Sequence, residues 1–280
     1  MGHELSGEVV EAAPQSRFRP GDPVCVMPYM SCGRCGACRK LQTNCCANMQ
    51  VLGVHRDGGL AEYVSIPEKF LFHAEGVTLE QAAMIEFLAI GAHAVRRANV
   101  RARSRVLVSG AGPIGIACAL FAQLAGADLT VIDTRIERLE FCRRWIGAAR
   151  TLVAGSQTAA ELSGATAGEM FDVVFDATGN PAAMQAAFNY IAHAGTYVLV
   201  SVVNSDITFS DPEFHRREAT LMGSRNATAE DFELVLAEMR AGRIPTLALH
   251  THTARLTELP DILPTWMHPD TGVIKAIVKC

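Results

Sequence analysis

The chain has 280 residues, 49% of them hydrophobic, which is enough for one large or two ordinary domains with a sizeable core. A net charge of −4 argues against a nucleic-acid or membrane-surface binder, and no run is long and apolar enough to span a bilayer. Nine cysteines could mean disulfides, but four fall in one short metal-type spacing, so a reducing, cytoplasmic setting is expected.

The chain opens on Met1-Gly-His-Glu-Leu-Ser6, which matches the N-myristoylation pattern but has no second anchor beside it, and no export signal is visible. His3 and Glu4 offer an imidazole and a carboxylate, both direct ligand types for Zn2+. Taken alone, the pair reads as two polar residues at a frayed end. Leu5–Glu11 alternates as a strand, Arg19–Asp22 is a turn, and Pro23–Met27 is a second strand with Cys25 as a core residue. Cys32, Cys35, Cys38 and Cys46 then follow as C-x2-C-x2-C-x7-C. Four thiolates so close can enclose one tetrahedral ion with no open position, hence a structural zinc site, and Gly33 and Gly36 ease the tight turns. Cys45 adjoins Cys46, and the spacing favours Cys46 as the ligand.

Val51–Pro67 reads as a hairpin turning at Asp57-Gly-Gly59, with Leu60–Val64 returning, and His55 and His73 read as loop histidines. Thr78 N-caps a helix pattern through Ala92 that continues over Ala94–Ala98. Glu86 lies inside this apolar run, where a carboxylate is costly unless paired or bound to metal. His93 reads as a core or capping residue.

The densest signal is Val106–Val108, a buried strand, running into Gly110-x-Gly112-x-x-Gly115 and an Ala-rich helix over Ile114–Ala125. The first glycine makes the tight turn, the second lets a pyrophosphate approach the backbone, and the third lets helix and strand pack. The phosphates are expected on the free N–H groups at the helix start. The next strand, Asp128–Ile132, ends in Asp133, placing a carboxylate for a ribose 2′-OH and favouring NAD over NADP. Helix and strand patterns alternate onward: Ile136–Ile146, Phe171–Phe175, Pro181–Ala192, Tyr197–Val203 and Ala219–Met222. That order predicts an α/β fold with a doubly wound parallel sheet, with Asp176-Ala-Thr-Gly179 as a turn at its carboxyl edge. Thr228 caps a helix over Ala229–Arg240, and Gly272–Val278 reads as a closing strand.

Taken together, Gly2-His3-Glu4, the four-cysteine run, Asp57-Gly-Gly-x-Ala-Glu-Tyr63, Gly110-x-Gly-Pro-Ile-Gly115 and Asp176-Ala-Thr-Gly179 resemble the zinc-dependent medium-chain alcohol dehydrogenases over the whole chain. Phe209–Glu218 and Met222–Thr228 look most like the bacterial polyol and sugar-acid branch, the L-galactonate and L-idonate 5-dehydrogenase-like members. The resemblance implies a Rossmann domain flanked in sequence by a GroES-like β-barrel domain, with segments at 1–92, 93–226 and 227–280. It implies that His3, Glu4 and Glu86 hold a catalytic zinc, and Cys32, Cys35, Cys38 and Cys46 the structural one. Gly110, Gly112, Pro113, Ile114, Gly115, Asp133, Arg138, Val200, Val202 and Arg225 would line NAD. The implied substrate is a small polyol or sugar acid, and the implied assembly a homo-oligomer. Relative to the family pattern, the stretch carrying Gly-x-Cys-Gly-x-Asp, with a further zinc ligand, is missing before the His-Glu pair, so an incomplete barrel with an unpaired strand edge is expected. Phe87 stands where the family has Pro. The activity implied is NAD-linked oxidation of a secondary hydroxyl, and the alternative is an impaired remnant that keeps the structural zinc and NAD binding.

Overall fold

The computed structural model describes residues 1–280 and resolves into two compact units, Met1–Ala89 with Asn226–Cys280, and Ile90–Arg225. The first unit opens with β1 (Leu5–Glu8), β2 (Pro23–Val26), β3 (Tyr29–Met30), α1 (Gly36–Arg39), β4 (Gln50–Val51), β5 (Leu71–His73) and α2 (Leu79–Ala82), and α3 (Ile85–Arg97) runs across the boundary. The second contains β6 (Arg105–Ser109), α4 (Pro113–Leu124), β7 (Asp128–Asp133), α5 (Ile136–Phe141), β8 (Arg150–Val153), α6 (Thr158–Ala165), β9 (Phe171–Asp176), α7 (Pro181–Ala187), β10 (Ile191–Leu199), α8 (Asp211–Arg216) and β11 (Thr220–Gly223). The chain then returns to the first unit with α9 (Ala229–Arg240), α10 (Thr246–Leu249), β12 (His250–Arg255), α11 (Leu259–Trp266) and β13 (Lys275–Lys279).

In the second unit six parallel strands lie in the order β11-β10-β9-β6-β7-β8, the doubly wound arrangement expected of alternating strands and helices. Its central strands are mostly apolar in their middles, as befits a parallel sheet covered on both faces: Val106, Leu107, Val108, Leu129, Val131 and Val174 are fully buried. α4 is apolar all round, and its alanines and Gly115 let it approach β6 closely. A Cβ on Gly115 would lie 1.8 Å from the Gly110 carbonyl oxygen.

The first unit carries a three-stranded antiparallel sheet, β1-β2-β5, and two short pairs, β3-β4 and β12-β13. β1 and β5 are its edge strands. The open edge of β5 is blunted by arginines: Arg17 donates to the Leu71 carbonyl at 2.8 Å and Arg240 to that of His73 at 3.1 Å. Thr78 and Gln81 form a capping box on α2, and Thr228 and Asp231 form one on α9.

Four sequence expectations are corrected. The Val51–Pro67 hairpin does not form: β4 pairs with β3, and the Gly59 N–H instead donates to the Gly2 carbonyl at 2.9 Å. The helix expected from Thr78 breaks at Ala83–Met84 into α2 and α3. α7 stops at Ala187, and a 3-10 turn over Phe188–Tyr190 leads into β10, which begins at Ile191 and ends at Leu199 rather than running over Tyr197–Val203. Apolar periodicity carried the helix pattern too far here, because Phe188, Tyr190 and Ile191 enter the core beneath the sheet with Tyr197. Finally, His73 lies on β5 and not in a loop.

Candidate metal and dinucleotide sites

Two clusters of metal-ligating side chains form, both in the first unit. In the first, one sulfur each from Cys32, Cys35, Cys38 and Cys46 lie within 4.8 Å of one another. The short α1 and the 3-10 turn at Thr43–Cys45 fold the lobe back so that these sulfurs converge. The Cys35 and Cys38 sulfurs are 3.5 Å apart, and the Cys32 N–H donates to Cys46 at 3.2 Å. Backbone N–H groups of Arg34 and Cys35 hold the Cys32 thiol down to about 6. Those of Cys38 and Ala47 hold the Cys35 thiol low, whereas burial lifts Cys38 to about 11. Two thiols poised towards thiolate beside one that resists it suit a cation that deprotonates the set, and the soft, four-sulfur donor set suits zinc. Cys45, exposed, is outside the cluster.

In the second cluster, His3, Glu4 and Glu86 each bring a donor atom within 4.8 Å of the others. Glu86, at the start of α3, is 3% exposed. Its Oε1 accepts the Tyr29 phenol, while Oε2 is buried with no partner. Lys275 on β13 presses its ammonium against Glu4 and stands 4.6 Å from the Phe87 ring centroid. Burial dominates the electrostatics: it lifts the Glu86 carboxyl to about 7 and draws Lys275 down to about 8. Burial, then the Lys275 charge, lowers His3, leaving its imidazole neutral and fit to ligate. One imidazole and two carboxylates, one with a bare buried oxygen, fit a divalent zinc with a position left for another ligand. Sequence reasoning missed Tyr29 and Lys275. Lys275 had left a trace, as a lysine interrupting the apolar run Val273–Val278.

The residues expected to line a dinucleotide all lie in the second unit. Gly110 leaves β6 at φ +95°, where a Cβ would meet the Ala177 carbonyl oxygen at 2.8 Å. Gly112 N-caps α4 with no side chain capping the helix, and a Cβ there would meet nothing within 4 Å. Pro113 occupies the first helical turn, beside half-buried Ile114 and buried Gly115. An uncapped helix start facing open space fits a pyrophosphate. Asp133 ends β7, and its carboxylate accepts the Ala111 N–H at 2.6 Å and the Arg135 N–H at 2.8 Å, tying the glycine turn to the neighbouring strand. Arg138 is buried on α5. Val200 follows β10 at the same carboxyl edge, where its N–H donates to the Asp176 carbonyl. Asp176, fully buried, accepts from Thr178 at 2.7 Å and from Ser201. Val202 and Arg225 are exposed.

Comparison with known proteins matches residues 1–76 to the alcohol dehydrogenase GroES-like domain and residues 113–241 to the zinc-binding dehydrogenase domain. L-galactonate-5-dehydrogenase of Escherichia coli K12 is 39% identical over 99% of this chain and 82% of its own length. A probable D-xylulose reductase A of Aspergillus terreus is 30% identical over 92% of this chain and 75% of its own. The structure of a short chain alcohol dehydrogenase of Escherichia coli CFT073 complexed with NADH superposes with a TM-score of 0.92 at 28% identity, covering 99% of this chain and 83% of that one.

Proposed function

This chain belongs to the zinc-dependent medium-chain alcohol dehydrogenase family, and on that premise we propose that it oxidises a secondary hydroxyl of a polyol or sugar acid to a ketone, with NAD as hydride acceptor. The observation that carries the reading is the bare, buried Oε2 of Glu86 beside His3 and Glu4. A desolvated carboxylate oxygen without a donor is costly unless a cation compensates it.

His3, Glu4 and Glu86 would hold the catalytic ion, and the four cysteines of the lobe the structural one. When bound, the catalytic ion supplies Lewis acidity towards the substrate hydroxyl and the nicotinamide supplies the hydride acceptor. The chain's own residues bind and orient. Lys275 holds Glu4 in place, and buried Phe87, Met84 and Leu88 exclude water from the Glu86 side. Gly112 and the start of α4 offer the pyrophosphate backbone N–H groups, and Asp133 keeps acceptor capacity for a ribose diol after its two backbone contacts. Arg138, Val200, Val202 and Arg225 are assigned here to the remaining lining of the cofactor. The preferred assembly is a homo-oligomer, in the cytoplasm.

One observation favours a second reading, a remnant that binds one zinc and the dinucleotide but turns nothing over: the Lys275 ammonium already neutralises Glu4. Metal content separates the two. Two zinc ions per chain, with NADH formed from aldonic acids or polyols and lost in Glu86→Ala, are the outcome expected. One ion per chain and no NADH with any of them would establish the remnant.

A further inference from the structure

Tyr29 holds no role in the family pattern set out above, yet its side chain is among the most constrained in the first unit. It is 3% exposed. Its strand is paired to Val51 on β4, its ring stands edge-on to Phe232 at 6.3 Å and 84°, and the cysteine lobe begins three residues later at Cys32. Glu86, equally buried at 3% exposure, lies in the first turn of α3 on a side chain with three rotatable bonds, so the phenol contact decides which of its two oxygens is held. The donation engages Oε1 and leaves Oε2 as the bare oxygen in the cluster with His3 and Glu4.

We propose that Tyr29 is a positioning residue for the His3–Glu4–Glu86 cluster, its phenol fixing the Glu86 carboxylate so that one oxygen is held and the other is presented to a divalent cation. This rests on the metal reading of that cluster. A buried tyrosine needs a hydrogen-bond partner in any case, and a purely structural pairing would satisfy both groups without affecting metal affinity. The positioning role differs in being selective. Partners that orient a ligand typically change metal affinity by about 10–100-fold when removed, and do so only at the ion they serve.

The test is a Co2+ titration of the metal-stripped 280-residue chain and of its Tyr29→Phe variant. The two sites report separately: cobalt in the cysteine lobe gives intense near-ultraviolet thiolate charge-transfer absorption with strong d–d bands at long visible wavelengths. Cobalt on one imidazole and two carboxylates gives no thiolate band and weak d–d bands at shorter visible wavelengths, and these weak d–d bands are the readout of that cluster. Wild type is expected to fill both. In Tyr29→Phe the d–d bands should shift and require about 10–100-fold more Co2+, while the thiolate band titrates as in wild type and so certifies that the variant is folded. Unchanged d–d bands at unchanged Co2+ in the variant would overturn the role of Tyr29 and leave the metal reading standing. A wild-type chain that shows only the thiolate band would overturn both. Loss of the thiolate band together with the d–d bands would also overturn the proposal, since Tyr29 would then support the fold at large.

Discussion

The ammonium of Lys275 rests against the carboxylate of Glu4, joining the last strand of the chain to the second residue of the His-Glu pair. Both side chains are mostly buried, at 15% and 24% exposure, so the contact is only partly screened. Lys275→Met leaves the Glu4 and Glu86 carboxylates facing each other without a resident cation. The variant without metal is expected to lose on the order of 1–3 kcal/mol, and added Zn2+ to restore more of its stability than it adds to wild type. Thermal melts with and without Zn2+ read this directly. Equal zinc-induced shifts in the two proteins would show that Lys275 and the ion do not act on the same carboxylates.

The glycine turn separates packing from binding. A Cβ on Gly115 would be driven into the Gly110 carbonyl oxygen, whereas one on Gly112 would enter open space. Gly115→Ala is therefore expected to unfold the second unit or lower its melting temperature sharply. Gly112→Ala should melt within a degree or two of wild type yet bind NAD at least about tenfold more weakly, because its methyl occupies the approach of the pyrophosphate. Calorimetric titration with NAD beside a thermal melt distinguishes them. A Gly112→Ala protein with wild-type NAD affinity would falsify the placement of the phosphates at this turn.

These contrasts mark what the sequence made legible. Gly110–Gly115, Asp133 and the four cysteines are local in sequence, so spacing alone carries their geometry, and the alternation of strands and helices implies the parallel sheet, although β8 and α6 lie outside the elements read from the sequence and the strand order is not read from it at all. The pairing of Tyr29 with Glu86 and of Lys275 with Glu4 is not local. It depends on which distant strand happens to end beside α3, and no periodicity encodes that. The absent hairpin at Val51–Pro67 has a related cause: the Asp57–Gly59 glycines serve a close approach of Met1 and Gly2, with a Cβ on Gly58 falling 2.0 Å from the Met1 carbonyl oxygen. Turn-type residues mark a close backbone approach as readily as a hairpin.

The cysteine lobe has little apolar interior of its own; Cys38, Cys46 and Met49 are its buried apolar side chains, and Leu41 is 84% exposed. Its order is thus expected to come from the ion. Stripping the metal with a chelator, or Cys46→Ser, should open the lobe to trypsin at exposed Arg34, Arg39 and Lys40, with cleavage suppressed when Zn2+ is restored to wild type but not to the variant. Mass spectrometry of the first fragments reads the outcome. Cleavage at these sites that is indifferent to chelator and zinc would mean that the lobe is ordered by packing alone.

Glu80, in the first turn of α2, pairs with Lys279 on β13 at 2.6 Å, stapling the end of the chain to a helix start. The Lys279 ammonium, with the Glu80 backbone N–H and Thr78 adding to it, holds the carboxyl at about 2, well below an ordinary glutamate. A carboxylate whose folded pKa is depressed stabilises the fold above the unfolded pKa of about 4.3, and that contribution is lost as pH falls through the folded value near 2. Lys279 is 56% and Glu80 32% exposed, so solvent screening cuts the worth of the pair to about 0.2–1 kcal/mol, far less than the shift alone would suggest. Lys279→Met should therefore be less stable than wild type by that amount in denaturant melts at pH 7 and low salt. The gap should shrink in high salt and close as pH falls from about 4 towards 2, where wild type loses the pairing too. A gap that persists unchanged at pH 2 would assign the loss to the packing of the Lys279 stem and not to its charge.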